Sequence, residues 1–416
     1  MNSRIISHIV RHESKKILKL NAVNTKFFHL HEANPNKEDI SLYVHIPFCK
    51  HLCPYCSFNR FHYDEKKANN YYKSLRKEVE YFSHHNFDFS HIYFGGGTPT
   101  VNMEELLNFL DFLHDHFSIK QISLETNPTD IDPDNLRELV EQNVKRLSVG
   151  IQSFDDKILN SIGRRYLSGE EIKEKLIETK GIFDTLNIDL IFNLPNQSIA
   201  LFKQDITTFK RLGIDQVTFY PLMPALRRKT ALERKFNKIN VKREKLFYQV
   251  ILEEVFHNGY SASTPWCFSK GEKIIDEYIV EYDDFIGIGS GAISYLDKMF
   301  YVNSFSLKRY VDLIEKNRLP VILWKDLSPR EASQYYLLTK LFGMQLNRRI
   351  FYKRFGKDIN HFLLPEVFLF KRLGIIREQK GNFYVPEPGM YHVSTLMKEF
   401  FTALNNLREY CMTRSL

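Results

Sequence analysis

Three cysteines, Cys49, Cys53 and Cys56, form a C-x3-C-x2-C run directly after the apolar residues Tyr43 to Phe48. Thiolates are soft ligands that suit zinc and iron–sulfur clusters. Three of them on one short loop can hold three corners of a four-iron, four-sulfur ([4Fe-4S]) cube, leaving one iron without a protein ligand. An open iron on a reducing cluster can chelate and cleave a cofactor, which points to radical chemistry. The alternative is a zinc ion with His45 or His51 as fourth ligand. Structural zinc usually pairs two cysteine knuckles at a distance, whereas the other two cysteines, Cys267 and Cys411, stand alone. The cluster is the favoured reading.

Other residues suited to a binding site are scattered along the chain. Gly95-Gly96-Gly97 follows an apolar run, and glycines let a ligand lie against backbone N–H and C=O groups. They also simply make turns. Glu125 and Gln152 close two apolar runs, and Asp189 is a lone acid inside a third, costly to bury unless paired. Arg164 beside Arg165 is either a ligand-facing cation or a surface ion pair. Gly287 to Ala292 is a second glycine-rich turn, equally suited to ligand contact and to close strand packing. The adjacent acids Asp155-Asp156 and Asp283-Asp284 point to different faces and receive no role. Cys267, beside Trp266, reads as a buried, inert thiol.

These residues need a repeating scaffold. Residues 41–220 alternate strand and helix. Leu42–Ile46, His91–Phe94, Ile122–Glu125, Arg146–Gln152, Ile188–Phe192 and Gln216–Tyr220 read as strands. Between them apolar residues recur at helical spacing, as in Leu75, Val79 and Phe82, and again in Phe202, Ile206 and Phe209, closed by Gly213. Asp132 with Pro133, and the Ser168–Glu171 capping box, mark helix starts. Six strand–helix units on short links require a parallel sheet, either open and doubly wound or a partial barrel. Ligands then sit at the carboxyl ends of the strands, where these motifs fall. Beyond residue 221 come a long helix, roughly Val241 to His257, and the second glycine turn. A capping box at Ser328–Glu331 opens further helices, and Ile375 to Val385 reads as a hairpin turning at Lys380-Gly381-Asn382. The expected division is an N-terminal extension without clear pattern (1–40), a barrel (41–260), a barrel extension (261–325) and a winged-helix-like module (326–416).

Bulk properties narrow the class. The 416 residues are 43% hydrophobic, enough for a large core, with a net charge of +8. That mild excess fits anionic small molecules or acidic protein partners and argues only weakly for nucleic acid. An odd number of cysteines, three of them clustered, argues against a secreted disulfide scaffold and for a cytoplasmic location. Met1 to Leu20 is basic and mildly amphipathic without the apolar centre of a signal peptide, and no segment is apolar enough to span a bilayer. The 34 Phe and 22 Tyr suit a pocket for a flat ligand, or ordinary core packing. Arg348, Arg349, Lys353, Arg354 and Lys357 on one stretch keep a DNA-binding regulator in view as a competing function.

Three segments together, Tyr43-Val44-His45-Ile46-Pro47-Phe48-Cys49, Gly95-Gly96-Gly97-Thr98-Pro99-Thr100 and Asn187-Ile188-Asp189-Leu190-Ile191, resemble the oxygen-independent coproporphyrinogen III oxidase family of the radical S-adenosylmethionine (SAM) superfamily. The resemblance covers about residues 41–380. It implies an α/β fold, a partial (β/α)6 TIM-like barrel with a C-terminal winged-helix-like α+β module. It implies a radical SAM oxidoreductase acting on a tetrapyrrole, with a [4Fe-4S] cluster on Cys49, Cys53 and Cys56 and an external one-electron donor such as flavodoxin or ferredoxin. Tyr43, Tyr55, Gly95, Gly96, Gly97, Thr98, Glu125, Gln152, Arg164 and Asp189 match positions around SAM. Gly289 and Gly291 match the segment that helps to hold a second SAM. The true oxidases carry a further cysteine two residues past the third ligand, where this chain has Phe58. Cys56-Ser57-Phe58-Asn59 instead resembles the branch of haem chaperones, which bind haem. That branch carries a His-Asn…Tyr-Trp stretch before the second glycine turn, where this chain reads Thr264-Pro265-Trp266-Cys267. A radical SAM C-methyltransferase is a further relative.

Overall fold

The apolar runs between residues 40 and 221 become six adjacent parallel strands in the computed structural model, which describes residues 3–23, 40–236, 241–275 and 277–416. They are β1 (Ile40–Ile46), β2 (His91–Gly96), β3 (Gln121–Thr126), β4 (Val144–Gln152), β5 (Thr185–Phe192) and β6 (Gln216–Pro221), each paired in parallel with the next. Every residue of β1 is buried, as expected of a strand covered on both faces. The expected helix starts are present: Asp132 caps Pro133–Glu141, and Ser168 and Glu171 form a reciprocal capping box on Gly169–Thr179. Gly213 takes a left-handed conformation, φ 65°, and ends Ile199–Leu212.

The sheet extends past both edges of this parallel centre to thirteen strands among the described residues, and it does not close. Beside β1 lies a seventh parallel strand, β7 (Asp284–Ile288), followed by an antiparallel meander of Ile293–Leu296, Met299–Asn303 and Val321–Asp326. Beside β6, Cys267–Ser269 and Ser261–Ala262 run antiparallel. The fold is therefore α/β, with seven parallel strands at the centre of the sheet, as the strand–helix alternation predicts, and antiparallel strands at both edges.

Among the helices around this sheet are α1 (Ser3–Ile17), α2 (Glu65–His84), α3 (Leu307–Glu315), α4 (Arg348–Phe355) and α5 (Glu387–Thr413). The sequence shows no clear pattern before residue 41, yet α1 is a helix that packs along α5, where Arg11 makes a two-pronged ion pair with Glu399 (2.9 Å for each bond). The C-terminal hairpin turns at Lys380 and Gly381, both with positive φ, and a third strand, Gln345–Asn347, joins it. With the helices around it this gives the winged-helix-like α+β module. No helix among the described residues is long and apolar enough to cross a membrane.

Candidate functional site

All six parallel strands point their carboxyl ends one way, and a cavity of about 290 Å³ opens there. That is near the lower end, roughly 300 Å³, of small-molecule pockets. Cys49, Cys53 and Cys56 all contribute to its wall. Cys49 lies on a short strand-like pair: Phe61 donates its amide to Pro47 O at 2.7 Å and Tyr63 to Cys49 O at 3.0 Å. Burial pushes the Cys49 thiol up to about 11, against a 3.6 Å hydrogen bond from Thr98. Arg60 donates to the carbonyls of Cys53 and Cys56. Burial opposes its charge, and the three cysteine sulfurs more than restore it. His51, on the loop itself, stacks with Tyr166 at 4.7 Å.

Among the described residues no three His, Cys, Asp or Glu side chains converge on a single point. A four-iron cube spreads its corners, so its three thiolates belong around a space rather than on a point. Three cysteines on one cavity wall, with guanidinium groups nearby to offset negative charge, fit that larger group.

The first glycine turn is held by packing. Gly97 N donates to Ile46 O at 2.7 Å and Thr98 N to Phe48 O at 2.8 Å. A Cβ on Gly97 would lie 2.6 Å from Phe48 O, and one on Gly96, at φ 109°, would lie 2.5 Å from the His45 ring. Only glycine lets β2 turn so close to β1. Gly96 and Gly97 line the cavity; Gly95 sits one residue back, facing the Glu125 carboxylate, and Thr98 reaches Cys49. Glu125 lines the cavity and accepts from Tyr93 Oη at 2.9 Å. Burial pushes its carboxyl up, while bonds from Tyr93 and Gly96 work the other way.

His45 shows how the strand end is fixed. Its Nε2 faces the Asn59 carbonyl at 2.8 Å and so carries the proton, leaving Nδ1 to accept from Tyr43 Oη at 3.0 Å. Burial lowers its pKa to about 4, so the ring is neutral. Tyr43 itself stacks on Tyr278 at 5.4 Å.

The remaining expected residues come together on the far strands. Gln152 ends β4 in a left-handed conformation, φ 75°, at a register shift against β5. Such a non-glycine residue costs about 1–3 kcal/mol and concentrates at functional sites. Arg164 points inward, donating to Gly150 O at 2.5 Å, Asn127 Oδ1 at 3.0 Å and Tyr55 Oη at 3.3 Å, with Cys53 Sγ at 4.0 Å. Arg165 is exposed, so Arg164 is the cavity arginine. Asp189 accepts from Ser148 Oγ at 3.1 Å and Asn187 Nδ2 at 2.8 Å. Tyr43, Tyr55, Gln152, Arg164 and Asp189 all line the one cavity.

Gly289 and Gly291 do not. The second glycine turn closes against α2 and the loop after the cysteines instead. Gly289 N donates to Glu78 Oε2 at 2.8 Å and Ser290 N to Tyr71 Oη at 2.9 Å. A Cβ on Gly289 would lie 2.3 Å from Tyr71 Oη, and one on Gly291 2.7 Å from Asn59. Of the two roles expected for these glycines, the contacts seen are those of close packing, away from the cavity lining.

Several wall residues escaped the sequence reading. Asn127, two residues after Glu125, holds Arg164 and donates to Thr98 Oγ1 at 2.5 Å; its place just past a strand end was a usable signal. Phe401, Asn405 and Arg408 come from α5, far away in sequence, and nothing local marks them. The stretch singled out for DNA binding is partly committed inside the protein: Arg348 pairs with Asp358 and Glu378, and Arg354 with Asp283 and Asp284.

Residues 43–209 match the family described as the Radical SAM superfamily. The chain is 26% identical over 368 residues to "Heme chaperone HemW" of Bacillus subtilis, covering 84% of this chain and 96% of that protein. It is 28% identical over 318 residues to the oxygen-independent coproporphyrinogen III oxidase of Escherichia coli, covering 70% and 68%. The solved structure of that Escherichia coli radical SAM enzyme superposes with a TM-score of 0.74 at 22% identity, covering 87% of this chain and 89% of the other. That last likeness concerns the fold.

Proposed function

For a radical SAM chain similar to the oxygen-independent coproporphyrinogen III oxidases and their haem-chaperone relatives, we propose a SAM-cleaving function directed at a tetrapyrrole. The observation that carries this reading is that all three cysteines and eight of the ten residues matched to SAM, all but Gly95 and Thr98, line one cavity. Cys49, Cys53 and Cys56 would hold the [4Fe-4S] cluster. With SAM bound, that cluster would pass one electron from an external donor to the sulfonium, chemistry that cleaves its C5′–S bond to methionine and a 5′-deoxyadenosyl radical.

The chain's own residues bind, orient and exclude water. Arg164, whose Nη2 is held by Asn127 Oδ1 and Gly150 O, would set a positive charge beside the cysteine loop that suits the SAM carboxylate. Glu125, beside Gly95 and Gly96, suits the cofactor's ammonium side. Asp189, held by Ser148 and Asn187, suits ribose hydroxyls or a cation. Tyr55 lies beside the cysteines, where an adenine ring can stack. Trp266, Tyr220, Leu222, Met223 and Phe401 make the apolar wall that would receive a flat ring and keep water from a radical.

The test is anaerobic reconstitution with iron and sulfide, followed by assay of 5′-deoxyadenosine from SAM and dithionite. A brown protein that forms it is expected. A Cys53→Ala protein that still forms it at the wild-type rate would refute the ligand assignment. A haem chaperone is the second reading, favoured by Phe58 in place of a further cysteine and by the similarity to HemW. Stable haem binding without a modified tetrapyrrole product selects it; turnover of coproporphyrinogen III or haem selects the enzyme.

A further inference from the structure

A guanidinium inside a cavity is expensive unless something pairs with it. Three arginines line this cavity: Arg60, Arg164 and Arg408. The first two are taken. Arg60 donates to the cysteine-loop carbonyls, and Arg164 to Gly150 O, Asn127 and Tyr55. Arg408 differs. Its Nη1 donates to Asn405 Oδ1 at 2.9 Å, and its guanidinium carbon sits 4.5 Å from the centre of the Phe58 ring. Among the described residues no carboxylate pairs with it. Of its five N–H donors, the amide of Asn405 uses one, and none of its nitrogens is sealed in a partnerless buried position, as Nε of Arg60 and of Arg228 are. The free donors open onto the cavity.

The support beneath this group is built. Asn405 Nδ2 donates to Met223 O at 2.7 Å, which fixes the amide so that its oxygen faces Arg408. Phe58 gives the planar cation a flat apolar seat. Both α5 residues are delivered by a helix that α1 buttresses through Arg11 and Glu399. A planar fork with free donors, held in place in a partly dry wall, matches a carboxylate better than any neutral acceptor.

Resting on the tetrapyrrole reading, we propose that Arg408, seated on Phe58 and held by Asn405, receives a carboxylate side chain of the substrate and so selects macrocycles that carry free acids. Phe58 then has a purpose of its own, as the platform of a substrate-reading arginine. The carboxylate of SAM is the other source of the same chemistry, and the test separates the two.

The experiment uses the full chain with its cluster reconstituted, as wild type, Arg408→Leu, Arg408→Lys and Phe58→Leu. Quenching of tryptophan fluorescence reports affinity for coproporphyrin III and for its tetramethyl ester, and a parallel titration measures SAM. Arg408→Leu is expected to weaken coproporphyrin binding about tenfold to a hundredfold, the range of charge-assisted hydrogen bonds, and to leave ester and SAM affinities within about twofold. Arg408→Lys keeps charge without the fork and falls between. Phe58→Leu, which leaves the arginine in place, gives a smaller loss confined to the acid. Equal losses for acid and ester overturn the proposal, because Arg408 then only packs. A matching loss for SAM overturns it in favour of the cofactor carboxylate, and unchanged acid binding in Arg408→Leu removes the role altogether. Wild type that binds neither porphyrin sinks the tetrapyrrole reading, and this inference with it.

Discussion

The two glycine-rich turns, at Gly95–Gly97 and at Gly287–Gly291, look alike in sequence and end in opposite places. Each follows a strand, and each faces a glutamate whose carboxyl burial pushes up. Glu125, at the first turn, lies in the cavity wall beside Tyr93. Glu78, at the second, is sealed in: it accepts from Gly289 N at 2.8 Å, Tyr310 Oη at 2.6 Å and Asn303 Nδ2 at 2.8 Å, and its pKa rises to about 7. Glycine at a strand end therefore means close approach in both cases. What approaches is decided by the surroundings. At the second turn helix α2 and helix α3, which carries Tyr310, fill the space; at the first, β2 and β3 end in the open.

The sharpest way to break this contrast is to load the second turn. Gly289→Ala puts a Cβ 2.3 Å from Tyr71 Oη at φ 97°, which costs at least about 3 kcal/mol. A large fall in denaturation midpoint is expected; one that scarcely moves would show the turn to be looser than its contacts imply. Glu78 gives a pH signature. Folded, it holds its proton to about pH 7; its ordinary value is 4.5. The folded chain then binds more protons between those values, so this contribution to stability is full below pH 4.5 and fades as pH rises through 7. Glu78→Gln should remove that slope, on the order of 3 kcal/mol across the window, in melts followed against pH. A variant with the wild-type slope would place the titration elsewhere.

At the first turn the expected effects are smaller and fall on binding. Glu125→Gln should weaken SAM binding about tenfold with little change in melting temperature, measured by equilibrium titration of the reconstituted protein. Gly95→Ala is the mildest change. Its Cβ would meet the Glu125 carboxylate at 3.0 Å, a side chain that can shift, so a stability loss of about 1 kcal/mol or less and a few-fold loss of SAM affinity are expected. If Gly95→Ala proved as damaging to folding as Gly289→Ala, the distinction between the turns would disappear.

Much of the scaffold was legible in the chain. The six strands, the capping boxes at Ser168 and Ser328, the stop at Gly213 and the turn at Lys380-Gly381 are each signalled by a few neighbouring residues, and local backbone chemistry is enough to place them. The strand-end residues Glu125, Gln152 and Asp189 were findable for the same reason, since a parallel sheet sends all its carboxyl ends to one side. The helix α1 and the antiparallel sheet edges were not legible, nor were two features of the site. The fate of Gly289 depends on Glu78 and Tyr71, more than two hundred residues earlier in the chain. The contribution of α5 depends on how the C-terminal module docks, and no pattern within 387–413 distinguishes Arg408 from an ordinary helix-surface arginine.

Residue type and spacing along the chain were sufficient for the cysteine loop, the six central strands and the carboxyl-end edge where the cavity opens, because each is signalled by neighbours a few positions apart or by the common direction of parallel strands. Docking of distant segments decided which glycine turn opens to the cavity and which arginine keeps donors free inside it. Exposure and partnership are properties of three-dimensional packing, and a side chain's desolvation is set by whatever the fold brings against it.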